Sequence, residues 1–135
     1  MDNTRDLPGY KYYVDPETGE RPAIYVAYLD LEPDPESSVK GVVFAVDAPA
    51  LDQLDQRERN YQRAEVSIDP APDGRVWTYR GTADARRRFE RGLAAGTAVV
   101  DRAYYDSVRS ADPPPVPIRS LTRVDTPLAK VPRRA

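Results

Sequence analysis

Residues 38–68 read Ser-Val-Lys-Gly-Val-Val-Phe-Ala-Val-Asp-Ala-Pro-Ala-Leu-Asp-Gln-Leu-Asp-Gln-Arg-Glu-Arg-Asn-Tyr-Gln-Arg-Ala-Glu-Val-Ser-Ile, and the period of their apolar residues changes twice. From Ser38 to Val46, one face of an extended chain carries Val42, Phe44 and Val46 and the other carries Val39, Gly41, Val43 and Ala45. Both faces are apolar, which predicts a central strand. Gly41 has no side chain there, which suggests close approach by another backbone or a ligand. At Asp47 the pattern becomes helical: Asp47 can cap, Pro49 sits where a missing N–H costs nothing, and Leu51 and Leu54 start a stripe. That helix is predicted to end near Asn60. Tyr61 to Ile68 then alternates Tyr61, Arg63, Glu65 and Ser67 against Gln62, Ala64, Val66 and Ile68, a third strand.

Working outward, Asp69-Pro70-Ala71-Pro72-Asp73-Gly74 is a turn, and Arg75 to Arg80 returns as the antiparallel partner with Val76, Trp77 and Tyr79. Thr82 or Asp84 can cap a second helix running to about Ala95. Ala85, Phe89 and Leu93 would form its buried side, and Gly96 would end it. A short helix is predicted over Asp101 to Arg109. Upstream, residues 23–31 (Ala-Ile-Tyr-Val-Ala-Tyr-Leu-Asp-Leu) predict another strand, stopped by Pro33 and Pro35. The first 22 residues, with Tyr10, Tyr12, Tyr13 and the Asp15 to Gly19 turn signal, read as loop and hairpin entry. Pro113 to Pro117 favours polyproline II, and the residues after it show no period. The expected organisation is one domain over 1–112 and a disordered or loosely docked Pro/Arg-rich tail over 113–135.

Composition narrows the chemistry. Of 135 residues, 20 are Lys or Arg and 22 are Asp or Glu, a net charge of −2. Such a balance argues for no nucleic-acid or anionic-membrane partner. Neither Cys nor His occurs. Disulfides, thiolate nucleophiles, imidazole-based triads and Cys- or His-ligated zinc are therefore excluded, and proton transfer near neutral pH falls to a carboxylate, Lys, Tyr or the substrate. With no long apolar run and no signal-peptide pattern after Met1, a soluble, cytoplasmic location is expected.

One carboxylate stands out. At about 100° per residue, with Leu51 at zero, Leu54 falls at roughly 300° and Glu58 at roughly 340°. Glu58 thus lies on the apolar side, whereas Asp52 and Asp55 lie on others. An inward carboxylate is desolvated unless donors hold it, which suits a general base. The plainer alternative is a buried glutamate paired with Arg57, Arg63 or a backbone donor, and helix geometry does not choose between them. Tyr61 and Arg63, on one strand face just after Glu58, could orient it or could be a core Tyr and an exposed Arg. The cluster Arg86, Arg87, Arg88 and Arg91 reads as a solvated helix face, and Tyr12, Tyr13, Tyr25 and Tyr28 read as cover for a core edge.

Leu54-Asp55-Gln56-Arg57-Glu58, followed by Tyr61, Arg63 and Val66, resembles the Leu-Asp-x-x-Glu motif and succeeding strand of the γ-glutamylcyclotransferase-like (AIG2-like) family. Val39, Gly41 and Phe44 resemble the Val-x-Gly-x-x-Phe strand that leads into the family's catalytic helix. The resemblance runs from about residue 23 to 108. It implies an α+β fold: a small mixed, mainly antiparallel, β-barrel-like sheet with two to three helices. It also implies a transferase- or lyase-type cyclisation without cofactor or metal, in which a γ-glutamyl peptide or amine yields 5-oxoproline and a free amine. Glu58 would be the general acid/base. Gly41, Tyr61, Arg63 and Tyr104, the last matching a tyrosine in the family's following short helix, would bind substrate.

The family's Tyr-Gly-Ser triplet, on a first strand that holds the substrate's α-carboxylate, has no counterpart here. Tyr79-Arg80-Gly81-Thr82 comes after the glutamate, on the wrong strand. The expectation is that the chain starts inside the family's domain, by truncation or a misassigned start, with that strand missing. The alternative function is then a non-catalytic small-ligand-binding or truncated remnant of the same fold.

Overall fold

The computed structural model describes residues 1–5, 7, 11–108 and 114–125. Tyr10 and the end of the tail lie outside that set. Among the described residues the architecture is mixed α+β, with three helices and three small sheets. Two of the sheets are antiparallel and none closes into a barrel. The chain divides into two compact units, Met1–Tyr28 with Arg87–Ala135, and Leu29–Arg86.

The first unit contains strands β1 (Lys11–Val14), β2 (Tyr25–Val26), β5 (Ala98–Asp101), β6 (Ile118–Arg119) and β7 (Thr122–Asp125), together with α3 (Arg102–Val108). β5 lies between β2 and β6 and runs parallel to both, while β1 pairs antiparallel with β7. All four β5 residues are buried. Because successive side chains face opposite ways, Val99 joins Leu7, Tyr13, Ile24 and Val26 in one cluster, while Ala98 and Val100 join Val116 in another. A strand covered on both faces must be apolar throughout, and Ala98-Val99-Val100 is that run. Asp101 ends β5 and caps α3, its Oδ1 accepting from the Tyr104 N–H at 2.9 Å.

Asn3 ties down the segment expected to be loop. It is fully buried. Its Nδ2 donates to the carbonyls of Tyr13 at 2.9 Å and Pro22 at 3.1 Å, and its Oδ1 accepts from the Tyr13 N–H at 2.9 Å. The tail differs from expectation as well. β6 and β7 lie in the stretch read as disordered from residue 113, and they form because β5 and β1 offer hydrogen-bonding edges that no local pattern reveals.

The second unit contains α1 (Ala48–Arg57) and the hairpin of β3 (Tyr61–Val66) with β4 (Val76–Gly81). Asp47 caps α1, accepting from the Ala50 N–H at 2.8 Å, and a proline occupies the first turn. The hairpin is in register from Tyr61 opposite Gly81 to Val66 opposite Val76, with Gly74 at φ 103° in the connection.

Two expected strands are corrected. Of residues 23–31 only Tyr25–Val26 is a strand, and Ser38 to Val46 forms none. Val42 is 91% and Phe44 70% exposed. The physical reason is pairing: β-branched residues favour a strand only where a neighbouring edge accepts its backbone groups, and this segment has no ladder partner among the described residues. A Cβ built on Gly41 would meet nothing within 4 Å, so the expected close approach is absent there.

Helix α2 (Ala83–Ala94) begins in the second unit and ends in the first. Thr82 Oγ1 accepts from the Ala85 N–H at 3.1 Å at its start, and Gly96 at φ 66° terminates it while the Thr97 N–H reaches back to the Gly92 carbonyl at 2.8 Å. Phe89 packs on the Ala98–Val100–Val116 cluster, but Leu93 is exposed and Gly92 is buried in its place. A Cβ on Gly92 would lie 2.9 Å from Tyr25 Cβ and Cδ2. Gly92→Ala would gain about 1 kcal/mol in helix propensity but incur overpacking of about 1–3 kcal/mol. We expect net destabilisation of about 1 kcal/mol by urea unfolding; a stabilised variant would show that Tyr25 moves aside freely.

Candidate active site at the end of helix α1

Helix α1 stops at Arg57, so Glu58 is its C-cap residue, at φ −92° and ψ 47°. The Glu58 N–H donates to the Leu54 carbonyl at 2.9 Å, and its own carbonyl accepts from the Tyr61 N–H at 2.9 Å. These two bonds close the helix and launch β3 within three residues. The cap position corrects the expected placement: Glu58 is not sunk among leucines, since no α1 residue is buried and its side chain is 28% exposed. One carboxylate oxygen, Oε1, accepts from Arg57 Nε at 3.0 Å. The pairing proposed as the plainer alternative is thus present, with a partner that is itself 69% exposed, where such a pair contributes little.

Beside Glu58, one face of the hairpin supplies Tyr61, Arg63 and Glu65 from β3 and Trp77 and Tyr79 from β4. Arg63 stands directly opposite Tyr79. Both reach α1 at the same residue: Tyr79 Oη donates to Asp55 Oδ1 at 2.5 Å, and Arg63 Nη1 lies 3.2 Å from Asp55 Oδ2. The Arg63 guanidinium also sits 4.8 Å from the Trp77 ring centroid, while Arg75 covers that ring at 4.5 Å and pairs with Glu65 at 2.6 Å. The Tyr61 hydroxyl donates to the Leu29 carbonyl at 3.2 Å. At the foot of β4, the buried Gly81 donates its N–H to Asp30 Oδ1 at 2.6 Å, and a Cβ there would meet Asp30 Oδ2 at 2.6 Å. Arg86 pairs with Asp30 at 2.8 Å and with Glu32, so it is not a freely solvated member of the arginine cluster.

Glu58, Tyr61 and Arg63 are therefore brought together in one unit. Gly41 lies in the same unit on its exposed, irregular segment. Tyr104 belongs to the other unit, where it packs on the Ala98–Val100–Val116 cluster and edge-on against Tyr28 at 5.1 Å between centroids. The sequence does not single out Asp55 and Tyr79, whose pairing joins residues 24 positions apart. Only the hairpin register, which places Tyr79 opposite Arg63, could have pointed to them.

The family model for gamma-glutamyl cyclotransferase, AIG2-like, matches residues 2–96. The chain belongs to this family. No curated protein and no solved structure matches it. The match spans α1, the whole hairpin and α2, and so covers every residue of the Glu58 cluster. Tyr104 falls outside it. Family-level function is accordingly that of a γ-glutamylcyclotransferase-like protein, acting on small γ-glutamyl substrates. No helix among the described residues is long and apolar enough to cross a membrane.

Within this γ-glutamylcyclotransferase-like cluster the Tyr79 hydroxyl is held neutral. Desolvation, then its hydrogen bond to Asp55 and the charge of that carboxylate, push its pKa up to about 12. A raised pKa favours the folded state fully below the unfolded value near 10, and this contribution disappears as pH rises through about 12. In a tyrosine Cζ NMR titration, Tyr79 should ionise near pH 12, and Asp55→Ala should bring its midpoint back toward about 10. An unchanged midpoint in that variant would show that Asp55 does not hold the proton.

Proposed function

We propose that this protein cyclises a γ-glutamyl peptide or amine to 5-oxoproline with release of the amine, and that Glu58 is the general acid/base. The observation that carries the reading is the family match across the segment in which Leu54-Asp55-Gln56-Arg57-Glu58 ends a helix and opens a strand. The Glu58 carboxylate takes a proton from the substrate's α-ammonium group. The freed amine attacks the γ-carbonyl carbon, forming the C–N bond of the five-membered lactam. The tetrahedral intermediate then expels the amine of the original γ-amide, which receives the proton that Glu58 holds, and the second N–H proton of the attacking nitrogen passes by way of Glu58 to the same amine, leaving a neutral lactam and an ammonium ion. Atoms and charge balance without an added reactant. The advantage comes from orienting two groups of one bound molecule, and backbone N–H groups must hold the oxyanion.

In this reading Tyr61 and Arg63 line the substrate site beside Glu58, and Arg63 supplies the positive charge. Gly41 and Tyr104 are assigned to substrate binding on resemblance alone. The test is 5-oxoproline formation, followed by mass spectrometry, from a panel of γ-glutamyl dipeptides and γ-glutamylamines. Product from any member supports the reading. Binding of such compounds without product from any of them overturns it in favour of a non-catalytic small-ligand-binding protein.

A further inference from the structure

We propose that Asp55 is a positioning residue that turns Tyr79 into a hydrogen-bond acceptor for the α-ammonium group of the substrate, so that the site selects a free α-amine. This rests on the function proposed above. A phenol has one O–H to donate, and Tyr79 spends it on Asp55 Oδ1 at 2.5 Å. What Oη has left to offer a ligand is its lone pairs. The donation cannot readily be redirected, because Asp55 is itself fixed from its other oxygen by Arg63 Nη1 at 3.2 Å, and Arg63 is in turn stacked on Trp77.

Asp55 in the last turn of α1 and Glu58 at its C-cap are three residues apart, about 60° round the helix axis, which corrects the expectation that they occupy different faces. The Glu58 charge acts on the Tyr79 hydroxyl. With Arg57 on Glu58 Oε1, the other carboxylate oxygen and the Tyr79 Oη lone pairs are the acceptors these two residues have left to offer a ligand. A protonated α-amine brings three N–H donors and a positive charge, which two such acceptors satisfy. An N-acylated nitrogen brings one N–H and no charge. The same polarity makes Tyr79 unsuited to donate to the oxyanion, so it acts in binding and leaves oxyanion stabilisation to other groups.

The test uses γ-glutamylalanine and its N-acetyl derivative as probes, bound calorimetrically to Glu58→Gln so that no turnover intervenes. The free amine should bind at least about tenfold more tightly, as expected for a hydrogen bond to a charged group. In Glu58→Gln/Tyr79→Phe the two affinities should converge. In the wild-type background, Tyr79→Phe and Asp55→Ala should each raise KM about tenfold with kcat nearly unchanged, and the double variant should be no worse than the poorer single, because the two residues act as one unit. A preference for the free amine that survives Tyr79→Phe, or no binding of either probe, overturns the proposal. Absence of 5-oxoproline from the wild type overturns the cyclisation reading and leaves the affinity comparison standing.

Discussion

Glu58→Gln is expected to lower 5-oxoproline formation by about 10²- to 10⁴-fold, the range a positioned general acid or base contributes. Glutamine preserves the shape of the side chain and can still accept from Arg57, but it cannot carry a proton between the α-ammonium group and the leaving amine. No histidine or cysteine exists anywhere in the chain to substitute for it. The fold should survive, because the capping role of residue 58 is entirely main-chain: its N–H bonds to the Leu54 carbonyl and its carbonyl receives the Tyr61 N–H. The side-chain pair with Arg57 is too exposed to contribute more than about 1 kcal/mol. Circular dichroism and urea unfolding should therefore match the parent, while the product assay falls toward background. Turnover within tenfold of the parent would remove Glu58 from the chemistry.

The largest expected effect on stability belongs to the other unit. Asn3→Ala removes three side-chain hydrogen bonds at once and leaves the Tyr13 N–H and the Tyr13 carbonyl without these partners beside a fully buried position, while the Pro22 carbonyl keeps the Ile24 N–H at 3.0 Å. Each buried group so orphaned costs about 1–3 kcal/mol, so a loss of about 3–5 kcal/mol is expected. Against a total stability of about 5–15 kcal/mol, that is a large fraction. Asn3→Asp discriminates the cause. The carboxylate keeps an acceptor for the Tyr13 N–H but loses both donors and buries a charge, so it should be at least as damaging as alanine. Urea midpoints with unchanged slopes would measure both. A loss below about 1 kcal/mol for alanine would show that water replaces the missing amide.

Much of the site was legible because its scaffold is local. Asp47, Pro49 and the Leu51–Leu54 stripe announce a capped helix, and residues 69–74 announce a turn between two alternating runs, so α1 and the β3–β4 hairpin form where their own residues direct. The sequence puts Glu58 near a helix-to-strand junction, which the fold has, and predicts a more covered side chain than the fold provides. The apolar stripe predicts a helix to Asn60, whereas the chain leaves it after Arg57 to enter β3, and because no residue of α1 is buried the Glu58 side chain keeps 28% of its surface exposed. Asp55 was misread for a related reason. A helical projection shows which way a side chain points, and it says nothing about a tyrosine arriving from 24 residues downstream.

The two strands expected over 23–31 and 38–46 show the limit from the opposite direction. Their apolar alternation is strong, yet a strand is a pairwise object whose backbone groups need an edge, and only Tyr25–Val26 found one. Ala98 to Asp101, too short to show a period, became the central strand because β2 and β6 flank it on both sides. Caps, turns, helix stops and the exclusion of thiol and imidazole chemistry thus follow from residues a few positions apart. Strand pairing, the Asn3 anchor and the Asp55–Tyr79–Arg63 cluster depend on which distant segments meet, because backbone and side-chain hydrogen bonds between remote residues have no local signature.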